Sequence, residues 1–247
     1  MSTAVDFIVP DWPAPATVRA ACSTRAGGVS RGPWAGLNLG RGSGDQAADV
    51  AENRRRLATA LQLPGEPGWL RQVHGTRVVR LPQPAIEPEA DASMTTARGV
   101  VCVVQAADCL PVLMCDQQGT VIAAVHAGWR GLAAGVLEAT VVALPAPPER
   151  LLAWLGPAIG PEAFEVGDEV RQRFVDMDAA AAAAFRQGAR PGHHYADLFM
   201  LARLRLARAG VRKIYGGGLS THADPGRFYS YRRDGVTGRM AALIWLS

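Results

Sequence analysis

Cysteine and histidine are the side chains that bind zinc and that activate one another as nucleophile and base. This chain has four cysteines and five histidines. Two of them bracket one short segment, QAADCLPVLMCDQQGTVIAAVHAGWRG (105–131), which reads as two apolar strands around a polar turn. With the turn at Asp116–Gly119 and Cys115 facing Thr120, an antiparallel ladder sets Cys109 opposite His126, their Cβ atoms about 5 Å apart. A thiolate and an imidazole at that spacing suit one metal ion. A slip of one residue turns one of the two away, and Pro111 invites a bulge. His126 also ends its strand just before AGWRG opens a helix, where α/β proteins place ligands.

Two protein ligands make a weak site. His74, in RQVHGTRVV (71–79) just before a strand, is the best third donor, and three donors leave a fourth position open for water or substrate. The gaps of 35 and 17 residues match no standard zinc motif, so the residues alone leave other readings open. His126 as a core histidine with Cys109 as a buried thiol is one. Cys109 and His126 as a nucleophile–base pair is another, and it competes with the metal because a coordinated thiolate is a poor nucleophile. His193 and His194 read as loop surface and His222 as a turn residue.

Periodicity supplies the elements that must hold these side chains. Gly, Pro and Ser dominate the first 45 residues, including the loop STRAGGVSRGPWAGLNLGRGSGD (23–45). A helix over about 46–61 follows, capped by Asp45, with Val50, Leu57 and Leu61 inward; LPGEPG (63–68) stops it. TRVVRL (76–81), GVVCVVQ (99–105), PVLMCD (111–116) and TVIAAVH (120–126) read as strands. A helix over 132–144 comes next, then a strand within LLAWLGPAIG (151–160). Val166, Val170 and Phe174 recur every four residues and mark a helix, which DAAAAAAF (178–185) continues on alanine's propensity. Asp197 caps a further helix carrying Leu198, Leu201 and Leu206, and Gly210 ends it. RKIYGGG (212–218) and RMAALIWL (239–246) are late strands. This irregular alternation, without repeats, predicts a single α/β (α+β) domain over 1–247 with a mixed β-sheet core flanked by helices.

Composition narrows the function classes. The chain is 49% apolar, enough for a sizeable core, yet no window approaches the roughly 18 apolar residues of a membrane span. MSTAVDFIVPDWPAP (1–15) has no basic start followed by an apolar block, so it does not read as a secretory signal. The expectation is a cytoplasmic protein without a membrane partner, its cysteines thiols, with Cys22, Cys102 and Cys115 as small core residues. Lys213 is the one lysine among 26 basic residues. Arginine suits bidentate capture of carboxylate or phosphate. The charges are scattered and the net charge is only +4, which argues against a nucleic-acid partner.

Eight blocks stand in a family order: PDWPAP (10–15), STRAGGVS (23–30), LNLG (37–40), RQVHG (71–75), ADCLPVLMCD (107–116), VHAGWRGL (125–132), GPAIGPEAFEVG (156–167) and FYSYRRDGVTGRMAALIW (228–245). On these the chain closely resembles the YfiH-type laccase-domain family, the purine nucleoside phosphorylases of the FAMIN type, whose bacterial relatives include the peptidoglycan editing factor. The resemblance covers almost the whole chain. It implies a YfiH-like fold and a metal site of His74, Cys109 and His126, the same three residues proposed above, holding zinc, with copper as the alternative. One departure is Ser220 in LSTHADPG, where many relatives carry a cysteine; a thiol at 220 is then not needed for the core chemistry.

The resemblance implies phosphorolysis of adenosine, inosine or guanosine, with adenosine deamination as a further activity. The alternatives are a metal-dependent amidase removing L-Ser from UDP-MurNAc precursors and a copper-dependent polyphenol oxidase, for which five histidines are too few to build a multicopper cluster. The expected partners are a purine nucleoside and phosphate. SYRRDG (230–235) offers Ser230, Arg232 and Arg233; on a strand, alternation sends one arginine to the pocket and leaves the other for an ion pair with a carboxylate such as Asp234. Arg130 and Arg25 are further anion candidates, the glycines of RAGG allowing close approach to a phosphate. Gln72, on the same side of an extended segment as His74, is placed to touch a purine or bond near the metal. Asn38 is a weaker candidate, and Trp129 either stacks on a base or packs in the core. Asp108 is a general base or a partner for a ligating histidine.

Overall fold

The computed structural model describes residues 4–83 and 87–247; Met1–Thr3, where the N-terminal stretch read above begins, lie outside the described residues. In chain order the strands are β1 (Phe7–Ile8), β2 (Val18–Ser23), β3 (Val78–Arg80), β4 (Ala92–Thr95), β5 (Val101–Ala106), β6 (Leu110–Asp116), β7 (Ile122–Ala127), β8 (Leu151–Leu155), β9 (Glu165–Gly167), β10 (Phe185–Gln187), β11 (His193–Ala196), β12 (Lys213–Gly216) and β13 (Met240–Leu246). The helices are α1 (Ala47–Leu61), α2 (Trp129–Ala134), α3 (Val136–Ala143), α4 (Asp168–Val175), α5 (Leu198–Arg208) and α6 (Tyr231–Asp234).

Two sheets face each other. One has the order β12-β8-β6-β7-β4-β3, parallel at both ends and antiparallel within; the other is β1-β2-β13-β5, antiparallel throughout. Their central strands are apolar on both sides, so alternation sorts side chains into different layers. Val101 and Val103 pack with Leu57 of α1, while Cys102 and Val104 turn to the space between the sheets. Leu113, Cys115, Ile122 and Ala124 meet them there, and Val112, Met114, Ala123 and Val125 face Leu132, Leu137 and Leu201 of the far helices. The layers therefore run α1, four-stranded sheet, six-stranded sheet, helices: a single domain with a mixed-sheet core flanked by helices, as the pattern predicted. Cys22, Cys102 and Cys115 are buried in the inter-sheet core, where desolvation pushes each thiol up to about 12 and makes it inert.

Several boundaries differ from the sequence reading. Asp45 does not cap α1: its Oδ2 accepts from Ser30 and Asn38 instead. The helix expected over 132–144 breaks at Gly135, whose φ of +99° ends α2 and begins α3. Val166 belongs to β9, and the alanine run 179–184 forms a 3-10 helix opened by Asp178, which accepts from the Ala180 N–H. Asp197 does cap α5, accepting from the Met200 N–H, and Gly210 follows in the left-handed region. Among the described residues no helix is long and apolar enough to cross a membrane.

Candidate metal centre

The β6–β7 hairpin carries Cys109 and His126, with a register two residues away from the expected one. Cys115 pairs with Ile122 and Pro111 with His126. The reason is Asp116: its carboxylate accepts from the Thr120 and Val121 N–H groups and the Thr120 hydroxyl, drawing both residues into the loop. A shift of two keeps every side chain on its face. Cys109 thus lies one residue before β6, just after Asp108 at φ +94°, and still approaches His126.

Residue 126 has another cross-strand partner. Ala92 pairs with Val125, so Asp91, immediately before β4, lies beside His126. The His126 N–H donates to the Asp91 carbonyl at 2.7 Å, and Nδ1 meets the Asp91 carboxylate at 2.8 Å. The same carboxylate accepts from the backbone N–H groups of Val73 (3.2 Å), His74 (2.9 Å) and Gly75 (2.7 Å). His74 takes φ +60° in this turn, an uncommon conformation for a residue with a Cβ, here held by three bonds to one anion. One buried aspartate therefore positions both histidines, and with Nδ1 engaged the His126 Nε2 is left for a ligand.

The donor atoms of His74, Cys109 and His126 lie within 4.8 Å of one another, the one such group of three among the described residues. Cys109 Sγ is 3.7 Å from His74 Nε2; zinc–sulfur and zinc–nitrogen bonds of about 2.3 and 2.0 Å make a tetrahedral edge of roughly 3.5 Å. The donor set and its spacing fit a zinc ion. The two rings are 4.9 Å apart at 73°. Gly128 makes room for them: a Cβ there would stand 2.8 Å from His74 Cδ2 and 2.9 Å from Cys109 Sγ. Its φ of −62° is open to alanine, so Gly128→Ala is expected to fold normally while pushing two donors apart. Metal titration of the variant should give an affinity at least about tenfold weaker, with the melting temperature of the metal-free protein nearly unchanged.

Charge in the metal-free cluster follows from its neighbours. Burial alone raises the Cys109 thiol, but His126 and then His74 outweigh it and bring it down to about 6. Burial alone lowers His126, but Cys109 and Asp91 outweigh it and lift it to about 9. Between these values the pair is thiolate and imidazolium, and a metal must displace the imidazolium proton. Apparent metal affinity is therefore expected to rise about tenfold per pH unit from about 6 to 9, and to fall more steeply below 6, where the thiol also protonates. Competition with a coloured chelator at several pH values reads this slope; a flat profile contradicts it.

The cluster opens into a cavity of about 930 Å³ lined by Leu70, Trp129, Ile159, Phe164 and Tyr231 and by six arginines. Arg41 and Arg54 pair with Glu87, and Arg71 with Glu89. Among the described residues Arg130, Arg232 and Arg239 form no ion pair. Arg130 lies over the Trp129 ring at 4.4 Å, and Arg232 donates to the Ala163 and Glu165 carbonyls.

The other candidates divide. Gln72 lines the cavity, but the turn at His74 breaks the expected extended segment, and the Gln72 amide bonds both backbone groups of Gln105. Asp108 also lines it, with its carboxylate on the Thr221 hydroxyl and the Arg232 N–H, not on a histidine. SYRRDG is a helical turn, not a strand. Ser230 caps it, accepting from the Arg233 N–H, and is fully buried. Helical spacing still separates the arginines: Arg233 pairs with Asp234 and bonds the carbonyls of Thr221, His222 and Phe228, away from the cavity. Arg25 is also elsewhere, on the carbonyls of Ala35 and Pro225 and over the Tyr229 ring. The glycines of RAGG serve packing, Gly28 lying against Gly36 and Leu37. Asn38 is buried, bonded to Ser43, Asp45, Gly40 and Arg239. Ser220 donates to Glu162. His194 sits on β11 against Asp168, not in a loop. Sequence reasoning missed Asp91 and Arg239.

Residues 19–247 match the model of a family described as multi-copper polyphenol oxidoreductase laccase. The chain belongs to this family. A Pseudomonas aeruginosa protein named purine nucleoside phosphorylase PA4543 is 55% identical over 240 residues, covering 97% of this chain and 98% of that one. Purine nucleoside phosphorylase YfiH of Escherichia coli K12 is 55% identical over 242 residues, with the same coverage. The crystal structure of Neisseria meningitidis protein NMB0706 superposes with a TM-score of 0.92 at 48% identity, covering 98% of this chain and 99% of that one. Similarity at this level over nearly the whole of each chain makes this member of the laccase-domain family an enzyme, and its architecture is that of the NMB0706 structure.

Proposed function

We propose that this enzyme is a purine nucleoside phosphorylase in which His74, Cys109 and His126 hold a zinc ion. The observation that carries the reading is the meeting, in one cavity of about 930 Å³, of a three-donor metal cluster and arginines without carboxylate partners. The names of the relatives supply the substrate class. A zinc ion held there would act as a Lewis acid on a substrate group. Arg130 and Arg232 hold the phosphate by charge-assisted bonds. Trp129, Phe164 and Tyr231 offer apolar faces to the purine. A phosphate oxygen bonds to ribose C1′ as the C1′–N9 bond breaks. The electron pair leaves with the purine, which takes the proton that hydrogen phosphate gives up.

Adenosine deamination is a second reading, favoured by the three-donor count, which leaves a corner for water. The copper oxidase reading has little support, since the described residues gather one group of three donors where a multicopper cluster needs several. Zinc-loaded protein with inosine and saturating phosphate is expected to yield hypoxanthine and ribose 1-phosphate on chromatography. No product under those conditions sinks the proposal. Inosine from adenosine without phosphate supports the second reading, and free serine from UDP-MurNAc-L-Ser would move the assignment to the amidase.

A further inference from the structure

Arg239 lines the cavity immediately before β13, yet no residue-type pattern singled it out. Everything around it fixes one edge of its guanidinium and leaves the other open. The Arg239 backbone N–H donates to Asn38 Oδ1 (2.9 Å) and the backbone carbonyl accepts from the Leu39 N–H (3.1 Å). Nη1 donates to the carbonyls of Thr237 (2.8 Å) and Gly238 (2.9 Å). Two glycines make the fit. A Cβ on Gly40 would stand 2.6 Å from Arg239 Cγ, and one on Gly238 would run into the Tyr229 ring at 2.7 Å and Asn38 Cβ at 3.0 Å. Nε and Nη2 have no hydrogen-bond or ion-pair partner among the described residues, and the Tyr231 ring lies 5.9 Å from Cζ.

A guanidinium whose Nη1 is taken by carbonyls presents Nε and Nη2 as a planar fork, the shape that binds two oxygens of one oxyanion. Burial works against the isolated charge and lowers the pKa of Arg239, and Cys109 and Asp108 are the nearby charges that offset this in part. An oxyanion in the cavity would provide the missing counter-charge.

We propose that Arg239 is the bidentate phosphate anchor of this cavity, with Asn38, Gly40, Thr237 and Gly238 as the residues that present it. This deepens the phosphorolysis reading and rests on it for the identity of the anion. Asn38, which LNLG suggested as a substrate contact, acts here through Arg239.

The test uses zinc-loaded full-length protein in two independent measurements. Calorimetric titration with inorganic phosphate reads binding without turnover, and initial rates with inosine read KM for each substrate. Arg239→Gln is expected to weaken phosphate binding and to raise the KM for phosphate by about 30-fold or more, the loss for a bidentate charge-assisted pair. The KM for inosine should change less than about threefold. Arg239→Lys, which keeps the charge without the fork, should recover only part of the loss. Arg55→Gln, the same charge change on the exposed side of α1, is the control and should leave phosphate binding intact, and circular dichroism checks that each variant is folded. Phosphate binding and KM unchanged in folded Arg239→Gln overturn the proposal, as does wild-type protein that binds no phosphate. Arg239-dependent phosphate binding without inosine cleavage would keep the anchor and reject the phosphorylase reading. A nucleotide that binds through Arg239 when inorganic phosphate does not would show the fork to serve a substrate phosphate, and would also overturn this assignment.

Discussion

Cys109→Ala is expected to lose the metal and at least 10³-fold of the activity together, while the fold survives. The fold survives because Cys109 is half-buried, stands outside β6 and belongs to none of the packed clusters. The metal leaves because two imidazoles alone make a weak site. His74→Ala separates the two roles that a thiol beside a histidine can have. If the thiolate ligates a metal, removing His74 also empties the site and activity falls as far. If Cys109 is a nucleophile activated by His126, His74→Ala leaves that pair standing and much of the activity remains. Metal content by mass spectrometry, taken beside nucleoside turnover for both variants, decides. Full metal occupancy in Cys109→Ala would remove the cysteine from the site.

What the sequence could reveal depended on the range of the interaction. The β6–β7 hairpin was legible because alternating apolar runs and a polar turn are local, and the approach of Cys109 to His126 survived an error of two in register because the side-chain period is also two. The error itself came from a side chain, Asp116, competing with the ladder for the Thr120 and Val121 N–H groups. His74 was reachable by type, since few histidines exist, but its turn was not: φ +60° is imposed by an aspartate 17 residues away in sequence. SYRRDG read as a strand; Ser230 as a cap makes it a helical turn and turns Arg233 onto the carbonyls of Thr221, His222 and Phe228. Arg25 and Asn38 look functional by composition, yet they brace the loop that carries Gly40 against the Arg239 backbone. Arg239 was invisible because nothing in TGRM distinguishes an arginine facing a cavity from one facing water.

Asp91 is the residue whose loss should cost most beyond His74, Cys109 and His126. It went unread because β4, Ala92–Thr95, has no apolar run to announce it, and without β4 there is no strand to set Asp91 beside His126. The side chain is fully buried. Burial raises its pKa, but the bonds from His126 and the Gly75 N–H outweigh this and hold the carboxyl below its ordinary value, so it is ionised at neutral pH. Asp91→Ala strips an acceptor from three backbone N–H groups and from His126 at once, and a loss of about 3–5 kcal/mol is expected for a broken buried charge network. Asp91→Asn is the sharper variant, because it keeps the volume. Once a metal displaces the imidazolium proton, the carboxylate accepts the remaining Nδ1 proton of His126 and leaves Nε2 to ligate. An asparagine whose amide nitrogen faces Nδ1 donates instead, moves the proton to Nε2 and blocks the donor atom. Metal affinity should then fall about 10- to 100-fold, the usual cost of removing a ligand's orienting partner, while urea unfolding shows a smaller loss than in Asp91→Ala. If Asp91→Asn binds metal as tightly as the parent protein, the carboxylate holds the loop but does not set the tautomer of His126.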